Sequence, residues 1–136
     1  MRNGKVYLVG AGPGKPDLIT VRGLNILKEA DVVIYDYLVD KSLLQHTKKS
    51  AELICCDELN KKGRFSNGFS IHQERINNLI VKKVKEGKKV TRLKNGDVSI
   101  FSRLSQELDA LVRNKIDFEL VPGVTAASAA VSYAGI

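Results

Sequence analysis

Short apolar runs alternate with amphipathic helical patterns along the whole chain, and three of the runs are followed by a turn that contains glycine. The runs cover residues 5–9, 31–36, 52–56, 89–93 and 117–121. They are largely continuous and rich in β-branched residues, which is typical of strands covered on both faces. Strands that alternate with helices predict an α/β domain, with a mostly parallel five-stranded sheet and helices on both faces.

Five helical segments lie between and after these runs. Helices are predicted after Thr20, over residues 42–47, 70–86 and 102–113, and after Gly123. Thr20 and Thr125 are suitable N-caps for the first and the last of them. The predicted apolar faces consist of Val21, Leu24 and Leu27 in the first helix, of Ile76, Leu79, Ile80 and Val84 in the third, and of Leu104, Leu108, Leu111 and Val112 in the fourth.

The composition fits a single globular domain. The chain has 136 residues, of which 43% are hydrophobic and 27% are charged, which is sufficient for one core. No apolar run approaches the roughly 20 residues that a membrane-spanning helix needs, and the first residues show no signal-peptide pattern. Cys55 and Cys56 are adjacent in an apolar run, and nothing in the pattern indicates secretion. We therefore expect a cytoplasmic protein without a membrane segment.

The formal net charge is +7, and the sequence pI is about 9.5. An excess of cations favours anionic partners, such as a polycarboxylate, a nucleotide or a nucleic acid. The basic residues are spread over several segments and aromatic residues are few, so a solvated basic surface is favoured over a nucleic-acid groove. His46 and His72 have no ligand spacing to a cysteine or to another histidine. We read both as structural or exposed and expect no metal site.

The turn after the first strand, residues 10–14, has glycine at every second position. Such a turn is tight and lets a ligand approach the backbone closely. It resembles a dinucleotide-binding loop, and Asp36 resembles the ribose-binding acid of that fold. However, Lys15 stands where that loop needs glycine or alanine, and Pro13 removes an N–H that should face the pyrophosphate. A nicotinamide-dependent oxidoreductase is therefore disfavoured, and the loop alone indicates no single cofactor.

Two further turns follow the fourth and fifth strands. Residues 95–97 (Asn-Gly-Asp) offer N–H groups and a carboxylate to a ligand, although an ordinary strand–helix turn is the better explanation of this segment alone. Residues 122–128 combine a Pro-Gly turn with a helix start of small side chains, which suits either a flat ligand or tight packing of the helix against the sheet. Because ligands gather at the carboxyl ends of parallel strands, we expect these turns to share one site.

Asp36 is a carboxylate at the end of an otherwise apolar strand. Burial raises the pKa of a carboxyl group, and a buried acid at this place would suit proton transfer. For one residue taken alone, a helix cap or a surface acid is the simpler interpretation.

Taken together and in this order, the motifs resemble the tetrapyrrole methylase family. The resemblance rests on VYLVGAGPGKPDLITVRGLNILKEADVVIYDYLV, HQERIN, GKKVTRLKNGD and FELVPGVTAASAAVSYAGI. It extends essentially over residues 5–136, and four ordered motifs make it specific at the level of the family. Within the family, the chain is most similar to the group that methylates uroporphyrinogen III.

The resemblance implies a two-domain enzyme that holds S-adenosylmethionine in the cleft between its domains, methylates a tetrapyrrole and forms a homodimer. In this family a pyrrole carbon attacks the sulfonium methyl group and a proton is then lost, which requires alignment and a base. The proposed proton acceptor corresponds to Asp36. The residues that correspond to cofactor contacts are Pro13, Asn95, Gly96, Asp97, Ile100, Thr125 and Ala126. The residues that correspond to the tetrapyrrole side of the glycine loop are Gly10, Gly12 and Gly14.

The chain departs from the family pattern at several positions. Asn95 stands where the family has a glycine close to the cofactor, and Ser102 replaces the first glycine of a Phe-Gly-Arg-Gly sequence. Glu58 stands where relatives have a lysine that is a proposed proton donor. Lys61 or Lys62, in the long polar stretch that follows, could take its place. These changes bear on the substrate and the rate rather than on the family.

Full members of the family continue into a second domain after a segment like residues 133–136. We therefore expect residues 1–136 to be the N-terminal domain of a longer enzyme, with weak cofactor binding of its own. One alternative is a precorrin methyltransferase of cobalamin synthesis, although Tyr35-Asp36 and the last four residues favour the uroporphyrinogen group. The other is a non-catalytic relative that only binds a tetrapyrrole or a partner protein, which the Asn95 and Glu58 replacements keep open.

Overall fold

Five parallel strands form the centre of the domain in the computed structural model, which describes residues 4–60 and 68–136. The strands are β1 Lys5–Gly10, β2 Val32–Tyr35, β3 Glu52–Cys55, β4 Lys89–Lys94 and β5 Phe118–Val121. Their order in the sheet is β3-β2-β4-β1-β5, and every neighbouring pair is parallel. The predicted fold class is confirmed.

Helices cover both faces of this sheet. The described helices are α1 Val21–Glu29, α2 Gly68–Lys85, α3 Leu104–Arg113 and α4 Ala126–Ala134, with 3-10 helices at Pro16–Leu18, Lys41–His46 and Cys56–Asn60. One face packs against α2 and α3 through buried residues that include Leu8, Ile34, Ile80 and Leu111. The other face packs against α1 and the 3-10 helix Lys41–His46 through Val9, Val33, Leu27 and Leu43. Each fully buried side chain of this kind stabilises the fold by about 1.5–3 kcal/mol.

The predicted apolar faces are wrong at two positions. Val21 is 77% exposed and Val112 is 63% exposed. Val21 lies six residues before the buried Leu27, which places the two side chains about 120° apart around the helix axis. Val112 follows Leu111, and successive residues of a helix point about 100° apart. Only Leu111 of this pair can therefore face the sheet.

The helix starts give a mixed result. The hydroxyl group of Thr20 accepts a hydrogen bond from the N–H of Gly23 at 3.0 Å, as predicted for an N-cap. Thr125 occupies the predicted N-cap position of α4, but within the described residues its hydroxyl group makes no capping hydrogen bond. Lys61 and Lys62 lie outside the described residues. Within residues 4–60 and 68–136, none of the helices has the length and apolar character needed to cross a membrane.

Candidate functional site

A cavity of about 540 Å³ opens where β2 and β4 end and α4 begins. Most of the residues that the family resemblance implicates line its wall. They are Asp36, Asn95, Gly96, Asp97, Ile100, Thr125 and Ala126. The carboxyl ends of three different strands therefore contribute to one hollow, as ligand sites in parallel sheets commonly require.

Close contacts between glycine residues hold the three turns together. Gly12 and Gly96 exchange two backbone hydrogen bonds, with N···O distances of 3.1 and 2.7 Å. The N–H of Gly123 donates to Oδ1 of Asp97 at 2.8 Å. A Cβ atom on Gly123 would lie 2.4 Å from the carbonyl oxygen of Gly96, and one on Gly10 would lie 2.7 Å from the same oxygen. Any larger residue at either position would push the turns apart.

The glycine loop lies beside the cavity rather than on its wall. Gly10 and Gly12 are buried against neighbouring backbone, whereas Pro13 and Gly14 are half-buried. None of the four is among the described residues that line the cavity. The observed geometry gives Gly10 and Gly12 a packing role. The cofactor contact at Pro13 and the tetrapyrrole contacts at the three glycines stay predictions.

Asp36 reaches the cavity as a partly exposed acid rather than a buried one. Its side chain is 32% exposed and forms an ion pair with Arg92, with 2.7 Å between Nη2 and Oδ1. The N–H of Asn95 donates to Oδ2 at 3.4 Å. Asp36 therefore does not lie in an apolar environment, because the neighbouring strand β4 supplies a cation. Whether Asp36 accepts a proton stays a prediction.

Three buried charged side chains form an ion network behind Asp36. Arg92, Lys94 and Glu107 are 3%, 2% and 1% exposed, respectively. The two oxygens of Glu107 accept from Nε of Arg92 at 3.0 Å and from Nζ of Lys94 at 2.7 Å. Burial opposes the charge of Arg92, but the carboxylates of Glu107 and Asp36 outweigh it and raise the pKa of Arg92. For Lys94, burial dominates over the attraction of Glu107 and lowers the pKa.

Sequence reasoning missed this network, although the sequence contains a signal for it. Glu107 lies on the apolar face of α3, three residues after Leu104 and four before Leu111. Arg92 and Lys94 lie inside a strand that reads as buried. Buried charged residues are rare unless they are paired, so a carboxylate on an apolar face together with two cations in a central strand predicts mutual contact.

Two other groups on the cavity wall have shifted pKa values. Burial alone would raise the pKa of Asp97, but hydrogen bonds from the Ser99 hydroxyl group and from the N–H of Gly123 hold it below its usual value. Burial raises the pKa of Cys56 to about 12. The Asp97 side chain is therefore a carboxylate that fixes the turn, and Cys56 is an un-ionised thiol.

Exposed residues lie at and beside the cavity, and one departure from the family pattern, Glu58, is among them. Phe101 is fully exposed at the rim, and its φ of 50° lies in the left-handed region. Glu58 is exposed and is not among the described residues of the wall, whereas Asp57 lines it and accepts the N–H of Tyr37 at 2.9 Å. His72, which we expected to be structural or exposed, lines the cavity, and its buried Nδ1 atom has no hydrogen-bond partner among the described residues. Across the described ranges, no group of histidine, cysteine and acidic residues is arranged to hold a metal ion.

The site and the fold define a domain of a tetrapyrrole-modifying enzyme family. Residues 5–136 match the model of the tetrapyrrole (corrin/porphyrin) methylases, and the chain belongs to this family.

Individual proteins agree with this assignment. The chain is 53% identical to uroporphyrinogen-III C-methyltransferase from Priestia megaterium, over 98% of the chain and 53% of that protein. It superimposes on a crystal structure of uroporphyrin-III C-methyltransferase from Thermus thermophilus with a TM-score of 0.81 and 40% identity, over 98% of the chain and 54% of the other. A second structure of that enzyme, in complex with S-adenosylhomocysteine, gives a TM-score of 0.75 and 37% identity, over 93% and 51%. The chain thus spans about half the length of these similar proteins.

Proposed function

We propose that the chain is the N-terminal domain of an S-adenosylmethionine-dependent methyltransferase that converts uroporphyrinogen III to precorrin-2, on the way to siroheme or cobalamin. The observation that carries this proposal is the convergence of the turns that contain Asp97 and Thr125 on the cavity that also exposes Asp36. Proteins similar to the chain over almost its whole length are named for this methylation.

The cavity residues fit the cofactor that a similar protein binds in its crystal structure. S-adenosylmethionine supplies a methyl group on a sulfonium sulfur. The turn at residues 95–97 and the start of α4 at Thr125 and Ala126 would hold it. Gly96 lies in the left-handed region with a φ of 71°, and a Cβ atom there would meet its nearest neighbour at 4.0 Å. The wall therefore leaves open space at the place where the cofactor would pass closely.

The tetrapyrrole would lie against the same hollow, with Asp36 beside the reacting ring. The pyrrole carbon would take the methyl group from the sulfonium sulfur: a carbon–carbon bond forms as the carbon–sulfur bond breaks, S-adenosylhomocysteine leaves, and the ring carries a positive charge. A C–H bond of the bridging carbon beside that ring would then break, its electron pair would neutralise the ring, and the proton would pass to the carboxylate of Asp36. The net charge of +7 suits a substrate that carries many carboxylates.

The test uses the two-domain protein, which is this chain joined to the C-terminal domain that the proposal requires. Methyl transfer from labelled S-adenosylmethionine to uroporphyrinogen III is measured for the wild type, Asp36→Asn and Asp109→Asn. Asp109 is exposed on α3, so Asp109→Asn makes the same chemical change outside the cavity. We expect kcat to fall about 10²–10⁴-fold in Asp36→Asn and to stay unchanged in Asp109→Asn. Equal rates in all three proteins would overturn the assignment of Asp36.

One observation favours a second candidate, a non-catalytic relative that binds a tetrapyrrole. Glu58 places an exposed carboxylate where relatives have a lysine that is proposed to donate a proton. A folded two-domain protein that binds uroporphyrinogen III and forms no methylated product would support this candidate. Conversion of precorrin-2 rather than uroporphyrinogen III would instead assign the chain to a later methylation of cobalamin synthesis.

We further propose that residues 1–136 alone hold only part of the cofactor site, that the two-domain protein is a homodimer, and that it works in the cytoplasm. These three points rest on the family resemblance. Calorimetric titration of the isolated chain with S-adenosylhomocysteine tests the first, because micromolar binding would contradict it. Sedimentation equilibrium of the two-domain protein tests the second, and fractionation of the source cells tests the third.

A further inference from the structure

Arg92 is the residue that connects Asp36 to the interior of the domain. Its guanidinium group is almost fully buried and reaches the ion-pair partners Asp36 and Glu107 with different nitrogen atoms. Its Nη1 atom also donates to the carbonyl oxygens of Ile34 and Leu93, both at 3.3 Å. The group is therefore fixed by one side chain just after β2, by one side chain of α3 and by the backbone of two adjacent strands.

This arrangement leaves the two oxygens of Asp36 in different states. Oδ1 receives the strong bond from Arg92 at 2.7 Å, whereas Oδ2 receives, from the described part of the chain, only the N–H of Asn95 at 3.4 Å. A carboxylate oxygen can accept about two hydrogen bonds, so Oδ2 keeps most of its capacity. A half-exposed aspartate without such a contact would sample several rotamers.

We infer that Arg92 is a positioning residue for methyl transfer: it anchors Oδ1 of Asp36 so that Oδ2 is presented to the hydrogen that leaves the bridging carbon beside the methylated pyrrole ring. The inference rests on the proposed function and adds a role for a residue that does not itself touch the reacting atoms. Glu107 holds Arg92 in place through one ion pair, and Lys94 forms an ion pair with the second oxygen of Glu107.

A rival explanation is that Arg92 does not position Asp36, and that Asp36 only helps to neutralise the buried charge of Arg92. The two explanations differ for a substitution that keeps the charge and loses the forked geometry. A lysine side chain carries the same charge, but as a compact ammonium group it cannot place separate donors on Glu107, Asp36 and two carbonyl oxygens at once. Arg92→Lys preserves neutralisation and removes positioning.

The experiment measures methyl transfer by the two-domain protein with uroporphyrinogen III that carries deuterium or hydrogen at the carbon that loses its proton. For Arg92→Lys we expect kcat to fall about 10²-fold, the lower end for a displaced base, with an unchanged KM for S-adenosylmethionine. We also expect a larger isotope effect on kcat than in the wild type, because proton removal becomes the slow step. Arg22→Lys is the matched control, since Arg22 pairs with Glu119 on the exposed surface of α1.

The isotope effect separates positioning from a general loss of structure, which lowers the amount of active protein without slowing proton removal in the remainder. If Arg92→Lys does not fold, Glu107→Gln carries the same expectation, because it loosens the anchor of Arg92 and keeps Arg92 itself. An unchanged isotope effect and kcat in the folded variants would overturn the inference. If the wild type transfers no methyl group, or Asp36→Asn matches it, the proposed function fails instead.

Discussion

Gly123→Ala should damage the domain more than any methyl group added at its surface. The new Cβ atom would lie 2.4 Å from the carbonyl oxygen of Gly96 and 2.8 Å from Cα of Gly10. The first distance is about 1 Å shorter than an ordinary contact, and both neighbours are backbone atoms that cannot rotate away. Adding one methyl group to a packed interior usually costs 1–3 kcal/mol. We expect Gly123→Ala to lower the free energy of unfolding by the upper end of this range, about 3 kcal/mol, and to lower Tm by roughly 10 °C.

Thermal unfolding of residues 1–136, followed by circular dichroism, measures this effect directly. Ser105→Thr is the control, because it adds a methyl group at an exposed position of α3 and should change the free energy of unfolding by less than about 0.5 kcal/mol. If Gly123→Ala unfolds at the temperature of the control, the glycine residues do not bring the turns together, and the description of the site is wrong.

Two further changes test the charged groups. Glu107→Leu leaves Arg92 and Lys94 buried without their shared carboxylate, so urea denaturation should show a free energy of unfolding that is lower by about 3–5 kcal/mol. Glu52→Leu, at an exposed ion pair, should lower it by less than about 1 kcal/mol. Equal losses in the two variants would contradict the network. The lowered pKa of Asp97 gives stability that is present above roughly pH 4 and lost as the pH falls through the folded-state value. Tm should therefore fall less on acidification in Asp97→Asn than in the wild type. The same dependence of Tm on pH in both proteins would refute this.

The fold followed from the sequence because local patterns and tertiary packing agree. Continuous apolar runs gave strands within two residues of their observed bounds, and Thr20 marked the start of α1. The error at Val21 arose where three-residue spacing was extended over a helix whose true period is 3.6 residues, and the error at Val112 arose because successive residues of a helix point about 100° apart. The strand order β3-β2-β4-β1-β5 was not predicted, since it depends on contacts between segments that are distant in sequence.

The site followed from the sequence only in part. The motif residues at 95–97 and 125–126 were placed in one cavity with Asp36 by the rule that parallel strands end at the same edge. The partner of Asp36 could not be read from its own strand, because Arg92 comes from β4, 56 residues away. The environment of a carboxylate is a property of its tertiary neighbours, so the apolar strand before Asp36 could not decide between a buried acid and a surface acid.

One cavity at the strand ends is proposed to hold the methyl donor beside Asp36, and a crystal structure of the two-domain protein with S-adenosylhomocysteine tests this placement. We expect the ligand in contact with the turn at residues 95–97 and with Thr125 and Ala126, and its sulfur on the side of Asp36. A ligand bound away from this cavity, with these residues untouched, would refute the proposed site.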